Sequence, residues 1–316
     1  PDFLNGKWFK MKNIKQIFSS DAGFFQIKIT CNETQLCPLP VRKLSGLVIY
    51  PTGTFITHCT LDELKSIMNY DVDIKIISGY IYKSKTHDET PFNKLIKDMY
   101  TKRMKQKTEA QKYVYKVLIN AGYGKFAQSK PEPRGLFNPV ICSYITGKCR
   151  SMLLDAVLDH KNDIIMFATD AIMSKKKLPL KIGNKLGQYD YVYHPKFINI
   201  MSGIYAFNTH KQSKLRTKNR GFGLKIYEGN TSSIFSLDTH KVDFNEENGF
   251  HYTITNKKPL TLIQSIIQKK YSPSMISKMI PVTKKIELNG DTKRVWLGEL
   301  KTIYDYNESI PIEDNI

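Results

Sequence analysis

Lys116-Val117-Leu118-Ile119-Asn120-Ala121-Gly122-Tyr123-Gly124 is the stretch around which the rest of this 316-residue chain can be ordered. With Lys112, the residues Lys116, Asn120 and Tyr123 stand at i, i+4, i+8 and i+11, which puts all four on one side of a helix. Val114, Val117, Leu118 and Ala121 take another side, and their spacing predicts a packing face. Upstream, Phe92, Leu95, Ile96 and Met99 recur at helical spacing after Pro91, and Thr108-Glu109 reads as a break. Residues 91–126 are therefore expected to form a helical hairpin.

Arg103 and Lys107 lie four apart on the first helix, and antiparallel pairing would bring them toward Lys112 and Lys116. Cations gathered in one volume repel each other unless an anion sits among them, and a triphosphate meets that requirement. A solvated amphipathic helix is the alternative, and the charge pattern alone leaves it open.

Working outward, Phe24 to Thr30 and Leu44 to His58 alternate as strands do, with Tyr50-Pro51-Thr52-Gly53 as a turn between two of them. Thr60-Leu61-Asp62-Glu63-Leu64 has an N-cap and an acidic first turn, which predicts a short helix to about Asn69. β-Branched and aromatic residues dominate Ile74 to Tyr82, which predicts another strand. Beyond the hairpin come a loop at Pro131–Gly135, a helix from Ile141 to His160 and a strand from Ile164 to Phe167. The tail from Leu224 mixes short strands with a helix over Pro259–Lys270. The class is α+β.

The formal net charge is +19, from 48 Lys and Arg against 29 Asp and Glu, and the sequence pI is about 9.5. Such a balance suits a polyanion, and no run of eighteen apolar residues or signal-peptide pattern favours a membrane instead. Nucleic acid is the expected partner, and no membrane. The five cysteines, Cys31, Cys37, Cys59, Cys142 and Cys149, match no zinc or C-x-x-C spacing and read as reduced thiols of an intracellular protein. Pro1 stands where a natural chain would start with Met, so processing or a larger parent is expected.

The order Lys116, Asn120, Ala121, Tyr123, Gly124 resembles motif B of family B DNA polymerases, with Ala121 in the place of the usual Ser. Lys125-Phe126 and the upstream Met99–Arg103 resemble the protein-primed viral and plasmid branch. The resemblance implies that Lys116, assisted by Arg103 and Lys107, binds the phosphates of an incoming dNTP. It also implies that Asn120 and Tyr123 face the nascent base pair, with Gly124 and Lys125 toward the DNA.

About fifty residues on, Met166-Phe167-Ala168-Thr169-Asp170-Ala171 resembles motif C, a Tyr-x-Asp-Thr-Asp-Ser hairpin. Ala168 and Ala171 replace its first Asp and its Ser, while Asp170 keeps the metal-binding position. By itself Asp170 is also an ordinary turn residue. Nucleotidyl transfer on this plan needs two Mg²⁺ ions ~4 Å apart, bridged by two carboxylates. The Asp-x-x-Ser-Leu-Tyr-Pro string of motif A, which supplies the second, is absent here. Pro1 is expected to end motif A, with its Asp, and the exonuclease domain, upstream.

Further along, Leu186-Gly187-Gln188-Tyr189 resembles a palm strand and Asp291–Trp296 a terminal thumb segment. Gly203-Ile204-Tyr205 and Arg220 fall where the family places a Lys-x-Tyr contact to primer DNA, Gly203 lacking the Lys. The resemblance thus implies a right-hand polymerase fold without the exonuclease domain. Its parts would be palm over 1–90 and 127–200, fingers over 91–126, and thumb over 201–316. Primer-template DNA, dNTPs, the upstream half and a terminal protein are the implied partners. A host cytoplasm or a viral or plasmid replication compartment is the implied location. Ala168, Ala171 and Gly203 keep a second reading open, a non-catalytic DNA-binding pseudo-polymerase of a replication or packaging complex.

Overall fold

The computed structural model describes residues 2–3, 5–33, 36–86, 90–128, 135–195, 197–201, 203–209, 212–219, 244–245, 249–259, 279–287, 291–298 and 309–313. It divides into two units, Pro1–Tyr191 with Pro311–Ile316, and Val192–Ile310.

The first unit is built on an antiparallel sheet of order β1-β6-β2-β5, with β1 Gly6–Lys10, β2 Ala22–Cys31, β5 Gly53–Thr60 and β6 Val72–Ser84. A short helix α1, Lys15–Phe18, joins β1 to β2. A small hairpin of β3, Val41–Arg42, and β4, Val48–Ile49, lies between β2 and β5. Strand alternation decides which face is dry: Phe25, Ile27, Ile29 and Cys31 are buried while Lys28 is exposed. Tyr50–Gly53 does connect two strands, but they do not pair, because β4 bonds β3 and β5 bonds β2.

Helix α2, Leu61–Ile67, starts where β5 stops. Thr60 ends the strand and caps the helix: its hydroxyl accepts from Glu63 N, and its own N–H donates to Glu63 Oε2 at 2.9 Å. This reciprocal capping box fixes the start of the helix and turns Leu61, Leu64 and Ile67 into the core beneath the sheet.

The helical hairpin follows as α3, Pro91–Met104, and α4, Glu109–Ala127, capped by Thr90 and Thr108. Phe92 meets Phe126 edge-on at 5.3 Å and closes the open end. The apolar side expected to pack is the exposed one: Val114, Val117, Leu118 and Ala121 all face solvent. The shielded side of α4 is instead Lys112, Tyr115, Ile119, Gly122 and Phe126, spaced by threes and fours and roughly 120° round the helix. On α3 the shielded residues are Phe92, Ile96, Met99, Tyr100 and Arg103, so Leu95 drops out of its expected face.

Helix α5, Pro139–Val157, runs into a 3₁₀ segment, Leu158–Asp163, kinked at His160, and so stops as an α-helix three residues before His160. The hairpin of β7, Ile164–Ala168, and β8, Ala171–Ser174, comes next. Leu186–Tyr189 is a turn and not a strand. Gln188 N donates to Lys185 O, the Gln188 side chain accepts from Lys185 N, and one bridge pairs Ile182 with Tyr189.

The second unit holds β9, Phe197–Met201, β10, Ile204–Thr209, and β11, Gln212–Asn219, in the order β11-β10-β9. It also holds a sheet of β12, Phe244–Asn245, β13, Gly249–Pro259, and β14, Met279–Glu287. Last come β15, Arg294–Trp296, and β16, Ser309–Pro311, where Arg294 Nε donates to Ser309 Oγ at 2.6 Å. Pro259 ends a strand, and the rest of the expected Pro259–Lys270 helix lies outside the described residues.

Candidate active site

The β7–β8 hairpin pairs Ala168 with Ala171, leaving Thr169 and Asp170 as a two-residue loop. Of the described non-glycine residues Thr169 alone has a positive φ, 63°. A β-branched residue there crowds its own backbone, at a cost of about 1–3 kcal/mol, and glycine is the usual choice for that loop position. Asp170 is exposed at the tip of the turn.

Helix α5 comes up against this turn. Cys149 Sγ lies 3.9 Å from the Thr169 carbonyl oxygen. Burial pushes the Cys149 thiol up, the Asp170 charge adds to that, and the Arg150 guanidinium opposes it.

Three neighbours in sequence fix α5 on the start of α2. Gly147 is there because nothing larger fits: a Cβ would stand 2.5 Å from the Thr60 side chain and 2.9 Å from Glu63 Oε2. Lys148 Nζ bonds Asp62 Oδ1 at 2.6 Å, and Arg150 Nε bonds Glu63 Oε1 at 2.6 Å. The Glu63 side chain is only 2% exposed, and capping box and ion pair together satisfy both its oxygens.

The C-terminal end of α4 reaches the same part of α5. Burial pushes the Tyr123 phenol up, Cys142 adds to this by charge and by a hydrogen bond, Arg150 opposes it and Cys149 adds a little. Helix α5 is thus packed by α4 and, through Cys149, meets the turn that carries Asp170. Lys116, Asn120 and Gly124 are exposed along α4. Gly122 and Gly124 have open space where a Cβ would be, so packing among the described residues does not demand glycine at either position. Lys125 Nζ rests on Gln128 Oε1 at 2.8 Å.

The expected cluster of four cations is partly neutralised from within. Lys112 Nζ bonds Glu109 Oε1 at 2.7 Å, and this bond, with a smaller contribution from Arg103, holds the Glu109 carboxyl below its ordinary range. Lys107 and Lys116 are exposed and make no ion pair among the described residues.

In the second unit Tyr205 is buried, its ring 5.6 Å from that of Phe197 and stacked at 6.1 Å on Phe207. Gly203 has φ +84°, a conformation that explains glycine in place of lysine. Arg220 lies outside the described residues. The sequence left Gly147 and Arg150 unmarked, and marked Glu63 only as part of a helix start and Cys149 only as a reduced thiol. The capping box was the one visible signal among them, since it marks Glu63 as a carboxylate held at a helix start.

Among the described residues no three His, Cys, Asp or Glu side chains gather as a metal cage. Asp170, an exposed carboxylate at the tip of a tight turn, suits one ligand of a shared site and is insufficient alone.

A model of DNA polymerase type B, organellar and viral, matches residues 3–132. The chain resembles the protein-primed family B DNA polymerases. A viral relative, the DNA polymerase of Acidianus bottle-shaped virus (isolate Italy/Pozzuoli), is 27% identical over 215 residues, covering 66% of this chain and 31% of that polymerase. Among solved structures, phi29 DNA polymerase complexed with primer-template DNA and incoming nucleotides matches with a TM-score of 0.59 at 15% identity. That match covers 90% of this chain and 54% of the phi29 polymerase. The phi29 polymerase in its post-translocation complex with primer-template DNA gives 0.57, also at 15% identity. The likeness shows a polymerase fold, and the chain spans about a third of the viral relative and about half of the phi29 polymerase. No helix among the described residues is long and apolar enough to cross a membrane.

Proposed function

We propose that this chain carries the polymerising site of a protein-primed family B DNA polymerase and takes part in template-directed transfer of a nucleotide from dNTP to a primer hydroxyl. The observation that carries the reading is the meeting at α5. Cys149 of α5 lies against the strained Thr169-Asp170 turn, and α4, which ends near Tyr123, packs on the same helix. Residues far apart in sequence, Asp170 on the β7–β8 turn and Tyr123 on α4, thus belong to elements that both adjoin α5.

In this reading the fingers are α3 and α4, the palm is the sheet of the first unit with β7 and β8, and the thumb lies in residues 201–316. Lys116, with Arg103 and Lys107, offsets the charge of the triphosphate and of the departing pyrophosphate. Asn120 offers an amide and Tyr123 a ring to the nascent base pair. Gly124 leaves backbone open to the DNA, and Lys125 can exchange Gln128 for a phosphate. Tyr205, buried beside Phe197 and Phe207, and Arg220 are the primer-side candidates. Asp170 would hold Mg²⁺ jointly with a carboxylate from outside residues 1–316. The chemistry such ions supply is activation of the primer oxygen and neutralisation of the leaving group.

Primer extension by the full-length protein tests this. Asp170→Asn should lower the rate at least a hundredfold while primer-template binding stays within a few-fold. Extension at the unaltered rate would remove Asp170 from the site.

Ala168 and Ala171 beside Asp170 favour one other reading, a pseudo-polymerase that binds DNA in a replication or packaging complex without catalysis. The enzyme predicts tighter primer-template binding once the templated dNTP and Mg²⁺ are added, and the pseudo-enzyme predicts no change. The remaining partners of the proposal are a terminal protein and the upstream half, inside the host cell.

A further inference from the structure

Between β2 and β3 the chain brings two thiols to one carbonyl oxygen. Cys31 ends β2 and Cys37 precedes Pro38, and both side chains are buried. Cys31 Sγ lies 3.8 Å, and Cys37 Sγ 3.1 Å, from the main-chain oxygen of Glu33. Two sulfurs that share one acceptor are close neighbours, and they are joined by only five intervening residues.

Cys59 supplies the contrast. It is buried in the same core, and burial pushes its thiol far up. At Cys31 the hydrogen bond from the Cys37 thiol outweighs burial, and the group is held below its ordinary value. Of Cys31 and Cys59, Cys31 is the more readily ionised.

The loop also bears on the route to the β7–β8 turn. The Glu33 carboxylate pairs with Lys161, just ahead of β7, and the Lys161 ammonium stands 5.3 Å over the Tyr70 ring. Tyr70 in turn donates to Leu154 O of α5 at 2.8 Å.

We propose that Cys31 and Cys37 are an oxidisable dithiol that a small peroxide converts to a disulfide. The Cys31 thiolate attacks one peroxide oxygen and breaks the O–O bond, giving a sulfenic acid and hydroxide. The Cys37 sulfur then attacks the Cys31 sulfur, the S–S bond forms, and the sulfenic oxygen departs as water with the Cys37 proton. In sum two thiols give up two electrons and two protons, and hydrogen peroxide becomes two waters. The bond would tie the end of β2 to the bend at Pro38-Leu39-Pro40 and restrain the segment that carries Glu33. It stands apart from the polymerase reading and survives or fails without it.

The folded full chain is treated with hydrogen peroxide, its remaining thiols are alkylated in denaturant, and tryptic peptides are weighed without reduction. Lys28 and Arg42 bracket both cysteines with no Lys or Arg between them, so both fall on the peptide of residues 29–42. That peptide should be lighter by two hydrogens and refuse the alkylating reagent until reduced, while Cys59 is alkylated in full. Thermal unfolding should shift upward by about 5 °C and return on reduction. In Cys37→Ser, Cys31 should proceed to sulfinic acid, with no upward shift. Two alkyl groups on residues 29–42 at a dose that has oxidised Cys142 and Cys149 would overturn the proposal, as would separate sulfinic acids at Cys31 and Cys37 in the unaltered chain.

Discussion

Strand β2, ten residues long, buries Ala22, Gly23, Phe25, Ile27, Ile29 and Cys31, whereas helix α4, at nineteen residues, buries only Phe126. The two belong to one unit and keep their shape by different means. The sheet has α2 and α5 beneath it, and Leu64, Ile67, Tyr70 and Leu154 close its core. The α3–α4 hairpin is held by its N-caps, by the Phe92–Phe126 contact and by one half-shielded seam, and it turns cations and apolar side chains alike to solvent. An element so little engaged by the described residues leaves its surface for a partner. Substitutions should accordingly act on stability in the sheet and on binding in the hairpin.

The widest gap should appear between Leu64→Ala and Leu118→Ala, followed by denaturant unfolding. Leu64 is fully buried, and its truncation removes transfer energy and leaves a cavity, a loss of about 2–5 kcal/mol. Leu118 keeps about half of its surface in water, and the same change should move stability by no more than about 0.5 kcal/mol. A loss of similar size at Leu118 would mean that α4 packs its apolar side after all, and the contrast would collapse.

That apolar side marks where the sequence misleads. Spacing placed both helices and their break at Thr108, because caps and periodicity are local signals. It could not tell an apolar side that packs from one that waits, since exposed Val and Leu are common on folded surfaces. The α2 start was legible from Thr60 and Glu63 for the same local reason. Arg150 was not, because its partner Glu63 is eighty-seven residues away and only the fold joins them. Gly147 was equally silent, as its requirement comes from Thr60 and Glu63 across the helix contact. Leu186–Tyr189 failed in the opposite sense, where a likeness to a strand gave way to a turn through Gly187. For the site itself, the order of residues brought Tyr123 and Asp170 to notice, while the α5 residues that adjoin them carried no signature.

Lys116 sharpens the contrast from the hairpin side. It is exposed and forms no ion pair among the described residues, so Lys116→Ala should leave the unfolding midpoint unchanged. If its ammonium meets the triphosphate, the apparent KM for dNTP should rise by about tenfold or more, the size of a lost charge-assisted hydrogen bond. Steady-state extension across a dNTP titration reads this directly. A changed midpoint with an unchanged KM would return Lys116 to the structural half of the comparison.

Gly124 offers the smallest effect and the closest test, because its two readouts should move in opposite directions. Glycine inside a helix is less favourable than alanine by about 0.5–1 kcal/mol, and a Cβ at Gly124 meets open space. Gly124→Ala should therefore stabilise the isolated protein by about that amount. If primer-template DNA approaches the α4 backbone there, the added methyl enters the space the DNA would occupy, and affinity should fall by several-fold at fixed salt. Unfolding in denaturant and fluorescence anisotropy with labelled primer-template give the two numbers on one preparation. A gain in stability without loss of affinity would leave Gly124 with no partner to explain it, and the face of α4 that carries it would have to be read again as bare surface.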